Sequence, residues 1–342
     1  MVDDGVDMVL HLGDYIYELG VLGYPGSPVV RTMVGAETYT LADYRRRHAL
    51  YKTDPDLQYA HAQCPWTVVF DDHEVDNNWA AEYSELTGAS PTFAARRAAA
   101  FQAYWENMPL RRTAFPRGGS MSLHRRQQWG SLATLHVLDT RQYRDDQPCG
   151  GNIGPCTAAA APSRTILGEA QRDWLLGGFR ESTARWDVLG NQVPFAQLDL
   201  MKGPGFATNV DGWDGYLADK TRVMNGGQEA GVRNPIVFTG DIHEAYAMDL
   251  QQSIDGRVRT VGAEFMTTSI TSGGDGSALN QTSDLENPHL RYHDDRRGYL
   301  RARFSPEDLR VDFRVLDKVS VRGAAASTAR SFTIADGQRG LL

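Results

Sequence analysis

Ile236–His243 reads IVFTGDIH, an apolar run that stops abruptly at aspartate and histidine. The same plan recurs in Asp7–Asp14 (DMVLHLGD), Trp66–His73 (WTVVFDDH), Leu132–Arg141 (LATLHVLDTR) and Trp186–Gln192 (WDVLGNQ). Short apolar runs of this kind are typical of strands that are buried on both faces of a sheet. Open α/β sheets bind ligands beyond the carboxyl ends of their strands. The polar residues that end these runs are therefore the first candidates for a functional site.

Helical patterns lie between these strands. Ser90–Asn107 has Ser90 as a suitable N-cap and Pro91 at the first helical position. Leu167–Trp186 carries an apolar stripe at helical spacing. Alternating strands and helices predict an α/β fold.

The pattern changes after Arg257. Tyr299–Leu316 alternates apolar and polar residues on both sides of a Ser-Pro-Glu-Asp turn, which predicts an antiparallel hairpin at about 298–320. A parallel sheet alone would not contain such a hairpin. We therefore expect mixed sheets in one catalytic domain that covers residues 1–342.

The composition excludes several classes of protein. The chain of 342 residues is 41% hydrophobic and 23% charged, which is ordinary for a globular protein. Its net charge of −8 argues against a general binder of nucleic acids or anionic membranes. No stretch approaches the roughly 18 apolar residues of a membrane span. We expect a monomer that neither spans a membrane nor binds nucleic acid specifically.

Two of the three cysteines flank a glycine-rich stretch. Cys149 and Cys156 enclose CGGNIGPC, which can close into a small disulfide loop and would then indicate an oxidising compartment. The alternative is two free thiols in a surface loop. Their spacing does not suit a zinc knuckle, and no second pair is available.

Acidic, amide or histidine side chains end four of the five predicted strands. One such end is ordinary, because aspartate often starts a turn. Four together, two of them beside histidines, favour a metal site that is built from several loops, with structural turns as the alternative. Carboxylates, amides, imidazoles and a phenolate are mostly hard donors, which suit Fe³⁺, Mn²⁺, Ca²⁺ or Mg²⁺.

The motifs at these strand ends resemble those of a known family. Gly13–Tyr17 is a GDxxY pattern, as in purple acid phosphatases. Asp72-His73-Glu74 resembles the Gly-Asn-His-Glu block of calcineurin-like metallophosphoesterases, and Gly240–His243 resembles their Gly-His-x-His block. With the strings HLGDYIYE, FDDHEVDNNW, LDTRQYR and GNQVPFAQ, the chain is similar to the alkaline phosphatase D (PhoD-like) family. This resemblance implies a metallophosphoesterase-like, four-layer α/β/β/α sandwich with mixed sheets.

The resemblance also implies metal ligands. Asp14 would bridge two metal ions, and Tyr17 and His243 would hold Fe³⁺, the tyrosine through its phenolate. Asp72 and Asp241 would hold the second metal ion. The resemblance to the family implies that this ion is Ca²⁺. Other divalent metals suit the same donors. Without metals, these residues would be turn carboxylates, a buried aromatic and a histidine at strand ends.

Three further residues receive roles from the resemblance. His73 would act in catalysis, by stabilising phosphoryl oxygens or protonating the leaving group; alternatively, it only orients a ligand carboxylate. Asn191 would be a metal ligand or substrate contact, or else an asparagine that caps a loop. Arg141 would bind the phosphate group of the substrate through its planar guanidinium, or else form an ion pair beside Asp139.

The implied function is hydrolysis of phosphate esters by a metal-activated hydroxide, as in an alkaline phosphatase or phosphodiesterase. The substrates would be small phosphate esters or phospholipids. A phospholipase D-type phosphodiesterase and an inactive fragment that only binds metal or phosphate are the alternatives. A carbohydrate-processing enzyme leaves the histidines and Tyr17 without a role.

The chain departs from the family before Asp7. The family's pattern includes an earlier strand with a cysteine ligand in a Ser-Cys-Gln context, a sandwich-like N-terminal domain and a twin-arginine signal. None of these is present in this sequence, and Cys64 stands too late to be that cysteine. We expect an N-terminally truncated chain with weakened iron binding, from a family whose full-length members are secreted or lie in the cell envelope.

Overall fold

Five α-helices and fourteen β-strands make up the regular structure of residues 1–20, 30–31, 34–151, 153–277 and 286–341, which this computed structural model describes. The helices are α1 (Leu41–Tyr51), α2 (Pro55–Gln63), α3 (Pro91–Asn107), α4 (Gly168–Glu181) and α5 (Leu217–Glu229). The first strands are β1 (Val9–His11), β2 (Trp66–Val68), β3 (Tyr83–Ser84), β4 (Gly88–Ala89), β5 (Arg125–Trp129), β6 (Ala133–Val137) and β7 (Trp186–Gly190). The remaining strands are β8 (Pro235–Thr239), β9 (Ala245–Ile254), β10 (Arg257–Met266), β11 (Leu290–Asp294), β12 (Gly298–Phe304), β13 (Asp308–Leu316) and β14 (Ala326–Ala335).

The five predicted strands are all present, but they divide between two sheets. β1 and β2 pair in parallel, with His11 opposite Val68. β6, β7 and β8 pair in parallel within a seven-stranded sheet whose order is β11-β9-β10-β8-β7-β6-β5. In that sheet β5, β9 and β11 run antiparallel to their neighbours, so the sheet is mixed. The predicted α/β architecture with mixed sheets is confirmed.

The layers follow from two apolar clusters, one on each face of the seven-stranded sheet. On one face, Val188 and Phe265 share a cluster with Val68 of β2 and Phe313 of β13, and α3 packs outside this layer through Phe101. On the other face, residues such as Val237 and Met248 pack with Leu175 of α4 and Val223 of α5. The order of layers is therefore helix, sheet, sheet, helix, which confirms the four-layer sandwich.

Local sequence signals account for some helix ends and not for others. Ser90 caps α3 as predicted, since its side chain accepts a hydrogen bond from the Phe93 amide at 3.1 Å. The second predicted helix was too long. α4 ends at Glu181, and Trp186 begins β7 instead, with its side chain fully buried between the sheets. Burial of Trp186 as a strand residue explains the difference.

The C-terminal strands form a third sheet. β12 and β13 pair antiparallel where the hairpin was predicted, and the turn between them contains Ser305. β14 then pairs with β13 on the side opposite β12. The sequence analysis did not predict β14.

Cys149 and Cys156 form a disulfide with a Cα–Cα distance of 6.0 Å. Among the described residues, no helix combines the length and apolar character that crossing a bilayer requires.

Trp186 provides a test of the contact between the sheets. Its indole nitrogen donates a hydrogen bond to the Ser305 carbonyl at 2.9 Å, and its ring lies 6.0 Å from that of Phe304. Trp186→Ala is expected to lower the free energy of unfolding by about 3–5 kcal/mol, because it leaves a cavity and an orphaned carbonyl. The matched control is Trp129→Ala, since Trp129 is 44% exposed. Denaturant unfolding that showed equal losses for both variants would contradict this account.

Buried His48 provides a test of acid stability. Burial, and then the charge of Lys52, lower the pKa of His48 from 6.5 to about 3. Between these two pKa values the unfolded chain binds a proton at His48 and the folded chain does not. The contribution of neutral His48 to the free energy of unfolding is therefore fully present above pH 6.5 and is lost as pH falls toward 3. His48→Leu is expected to flatten the dependence of unfolding free energy on pH by about 1.4 kcal/mol per unit between pH 6.5 and about pH 3. Urea titrations at several pH values measure this slope, and an unchanged slope would contradict the assignment.

Candidate metal centre

The loops after β1 and β2 touch at a point where only glycine fits. Gly13 has a φ of 125°, and a Cβ atom there would lie 2.3 Å from the Cβ of Asp71. The next residue, Asp14, has a left-handed φ of 55°. Such a backbone is uncommon outside glycine and is typical of functional sites. The GD pair thus turns the chain so that the Asp14 carboxylate approaches the loop after β2.

Glu74 holds these two loops together. Its buried carboxylate accepts hydrogen bonds from the backbone amides of Asp14, Tyr15 and Ile16 in one loop and from that of Asp71 in the other. Burial raises the pKa of Glu74 to about 7, although the amide donors act in the opposite direction. The geometry of the two loops therefore does not depend on metal alone, because a single carboxylate joins both backbones.

Asp14, Tyr17 and His243 form the first group of candidate ligands. The Tyr17 hydroxyl lies 3.1 Å from Asp14 Oδ2 and 2.6 Å from His243 Nε2. His243 follows β8, whereas the other two residues follow β1, so this contact joins the two sheets. Asp14 Oδ1 is buried and has no hydrogen-bond partner among the residues that the structure describes. An oxygen in that state suits a cation.

The backbone around His243 is held from the opposite side. Its φ is 62°, and its carbonyl accepts hydrogen bonds from Arg297 at 2.7 Å and from the Thr268 hydroxyl at 2.8 Å. Burial, and then the charge of Arg297, lower the pKa of His243 to about 4. The imidazole is therefore neutral near pH 7, which is the form that binds metal ions.

Asp71, Asp72 and Asp241 form the second group. Each offers a carboxylate oxygen, and the three oxygens lie within 4.8 Å of one another; Asp14, Asp72 and His73 form a similar set. Burial, and then the neighbouring carboxylates, raise the pKa values of Asp14 and Asp241 well above the usual range. Carboxylates crowded in this way need a positive charge between them.

Arg141 supplies part of that charge from behind the carboxylates. Its side chain is fully buried. Its guanidinium contacts Asp71 at 2.5 Å, Asp211 at 2.8 Å, and Asp72 and Asp241 at 3.5 Å each. Burial raises the pKa of Asp72, but Arg141 and His73 outweigh it and lower that pKa below the usual range. This arrangement does not favour the predicted contact of Arg141 with substrate, because no part of the guanidinium is accessible. An ion-pair role describes its geometry, with Asp71 and Asp211 as the nearest partners of the guanidinium, whereas Asp139 accepts from the Arg141 backbone amide.

His73 is oriented by a residue from the first loop. Its Nδ1 lies 2.7 Å from Glu18 Oε2, and its Nε2 lies 3.9 Å from Asp72 Oδ2. Glu18 is fully buried and also accepts a hydrogen bond from the Asn77 amide at 2.9 Å. Burial lowers the pKa of His73, but Asp72, Asp14 and Glu18 outweigh it and raise that pKa well above 6.5.

Asn191 makes a different set of contacts. Its side-chain nitrogen donates to the Val193 carbonyl at 2.7 Å, and its oxygen accepts from the Trp213 indole at 3.2 Å. Both ends of the amide thus hold the loop after β7. This geometry supports the loop-capping alternative, and we leave Asn191 out of the ligand set proposed below.

Sequence reasoning assigned no role to four residues of this centre, namely Glu18, Asp71, Glu74 and Asp211. Glu18 ends the string HLGDYIYE, and Asp71 and Glu74 flank the assigned pair in FDDHE, so proximity to those motifs was a usable signal. Asp211 lies far from them in sequence, and only the fold places it against Arg141.

The two groups of candidate ligands fit metal ions, because they combine hard donors with buried oxygens of Asp14 and Asp72 that lack hydrogen-bond partners within the described ranges.

Comparisons with known proteins show what the whole chain is similar to. Residues 1–313 match the model of a family described as PhoD-like phosphatase. Alkaline phosphatase D of Bacillus subtilis (strain 168) is 44% identical over 347 aligned positions, which cover 100% of this chain and 60% of that protein. A solved structure of PhoD matches with a TM-score of 0.92 and 42% identity, over 98% of this chain and 66% of that one. The chain thus spans less than two thirds of the length of these relatives. Motifs, fold and comparisons together show that the chain belongs to the PhoD-like phosphatase family.

Proposed function

We propose that this chain hydrolyses phosphate esters in a metal-dependent reaction. The observation that carries the proposal is the meeting of two ligand groups at the carboxyl ends of strands from both sheets. Asp14 and Tyr17 come from one sheet, and Asp241 and His243 come from the other. The name of the relative, alkaline phosphatase D, supports the same reaction class.

We assign Fe³⁺ to Asp14, Tyr17 and His243, and Ca²⁺ to Asp72, Asp241 and Asp71. A phenolate and a neutral imidazole suit a trivalent transition metal, whereas a group made of carboxylates suits a hard divalent cation. When bound, such ions supply Lewis-acid activation of water and of the phosphoryl group. The buried oxygens of Asp14 and Asp72 without hydrogen-bond partners in the described structure support both assignments.

The remaining residues act on protons and charge. His73 directs Nε2 toward Asp72, so in its protonated form it can hydrogen-bond a phosphoryl oxygen or protonate the departing alkoxide. Glu18 fixes the imidazole orientation through Nδ1. Arg141 lies beside the carboxylates and offsets part of their negative charge.

The disulfide supports a location outside the reducing cytosol. Structural disulfides persist mainly in secreted and cell-envelope proteins. The bond between Cys149 and Cys156 is therefore consistent with the secreted or cell-envelope location that the motifs imply. Fractionation of the natural host, followed by detection of the protein in each fraction, tests this part of the proposal.

The direct test is hydrolysis of p-nitrophenyl phosphate and bis-p-nitrophenyl phosphate, with and without added Fe³⁺ and Ca²⁺. The proposal expects activity that depends on metal. A preference for the diester, followed by activity on phospholipid vesicles, would favour the phospholipase D-type alternative. Metal binding without hydrolysis of either substrate would favour an inactive binding fragment.

Loss of a ligand is expected to remove both metal and activity. Asp14→Asn or His243→Ala should lower the rate by several orders of magnitude, since ligands hold the ions on which the reaction depends. Metal analysis of the purified variants should show a matching loss. Asp173→Asn is the control, because Asp173 is an exposed carboxylate on α4. A normal rate for Asp14→Asn would contradict the two-group centre.

Loss of the proposed proton donor is expected to remove activity alone. His73→Ala should lower kcat by about 10²–10⁴-fold and leave the metal content unchanged, because general acid catalysis contributes about that factor. Glu18→Gln should lower kcat less, since the amide retains a hydrogen bond to the imidazole but not the charge. If His73→Ala loses metal to the same extent as His243→Ala, then His73 is a ligand instead.

A further inference from the structure

Asp211 is, after Asp71, the nearest carboxylate to the Arg141 guanidinium and helps to position it. Its buried Oδ1 accepts hydrogen bonds from Arg141 at 2.9 Å, Arg144 at 2.6 Å and Gln147 at 2.7 Å. Arg141 in turn contacts Asp71, Asp72 and Asp241. A movement of the Asp211 carboxylate would therefore move the guanidinium behind the second ligand group. Of the three side chains that donate to Asp211, only that of Gln147 is uncharged.

Gln147 joins Asp211 to the loop that carries Asp72. The same side-chain nitrogen that donates to Asp211 also donates to the Asn78 carbonyl at 2.6 Å. The Asn78 amide donates to Asp72 Oδ2 at 2.8 Å. The two hydrogens of one amide thus bridge the anion behind Arg141 and the backbone that positions a proposed ligand.

The disulfide lies directly beside this bridge. Cys149 is two residues after Gln147, and its bond to Cys156 closes a short loop. Gly154, inside that loop, exchanges backbone hydrogen bonds with Thr208 at 3.1 and 3.3 Å. Thr208 lies three residues before Asp211. The Asp211 segment is therefore held at two points, by Gly154 inside the loop and by Gln147 just before the loop.

We propose that Gln147 is a positioning residue for Asp72 and Arg141, and that the Cys149–Cys156 disulfide holds Gln147 in place. The inference rests on the second ligand group of the proposed function. A closed loop restricts the backbone next to Gln147, so less conformational entropy is lost when its side chain forms the bridge. Without the bridge, Asp72 and Arg141 can shift relative to each other, and a cation binds less tightly between Asp71, Asp72 and Asp241.

Calcium titration of the full chain by calorimetry tests the bridge. Gln147→Leu removes both hydrogen bonds at similar volume and is expected to raise the Kd for Ca²⁺ about tenfold, as loss of an outer partner of a metal ligand does. Gln127→Leu is the matched control, because Gln127 is also half-buried but bonds Thr67, at 2.9 Å, on another strand. A Kd unchanged by Gln147→Leu, or shifted equally by Gln127→Leu, would overturn the proposal. Equal melting temperatures of the two variants would confirm that the shift in Kd is not general softening.

A double-mutant cycle tests the disulfide. Cys149→Ser with Cys156→Ser is expected to weaken Ca²⁺ binding in the wild-type background and to add little in the Gln147→Leu background. If the serine variant does not fold, wild-type protein treated with a phosphine reductant replaces it, since the phosphine is oxidised as the two sulfurs become thiols. Additive effects would show that the disulfide acts elsewhere and would overturn its role.

Hydrogen exchange of the metal-free protein separates this inference from the proposed function. Loss of the bridge is expected to speed amide exchange at 77–79 and 207–211 by severalfold, both in Gln147→Leu and after reduction. This readout needs no bound metal. If the wild type binds no Ca²⁺, the proposed second metal fails, and unchanged exchange in these segments would overturn the bridge itself.

Discussion

The centre depends on the carboxylate of Glu74. Four backbone amides, from both loops that meet beside Gly13, donate to this one buried group. Amide groups at the ends of short strands would otherwise face the protein interior without partners, which is costly. By satisfying them, Glu74 joins two loops and leaves the Asp14 and Asp72 carboxylates free to point at the space between the sheets. The left-handed turn at Asp14 is maintained by this surrounding structure.

The same solution is used in the second sheet. Glu264 of β10 accepts hydrogen bonds from the amides of Phe195 and Ala196 and from the Thr239 hydroxyl. It thereby holds the loop after β7 against the end of β8, the strand that delivers Asp241 and His243. Both sheets thus use a buried glutamate to organise backbone, and they keep aspartate, histidine and tyrosine for the space where the two sheets meet. Arg141 then offsets the negative charge of the aspartates, and Asp211 pairs with both Arg141 and Arg144.

Much of this could be predicted from local patterns. The apolar runs identified every strand that ends in a candidate ligand, and Ser90 with Pro91 identified the start of α3, because capping and strand burial are encoded within a few residues. The motifs GDxxY and GDIH named Asp14, Tyr17, Asp241 and His243, and the structure brings Tyr17 into contact with both Asp14 and His243. Other features were not predicted in this way. The sequence analysis placed the end of α4 too late, did not predict β14 and could not distinguish a ligand role of Asn191 from a loop-capping one. Each of these depends on what packs against the segment.

The sequence by itself determined the fold class, the family and most of the residues that we propose as metal ligands, since residue types and their spacing are local properties of the chain. Only the tertiary structure decided that β1 and β2 lie in a different sheet from β6, β7 and β8, so that the centre forms between two sheets. It also decided which groups the Arg141 side chain contacts. An arginine that follows a strand can bind a phosphate group or form an ion pair. Here the ion pair forms because the fold buries Asp211, 70 residues later in the sequence, against the guanidinium. Such long-range pairing depends on burial and charge balance, which no short motif contains.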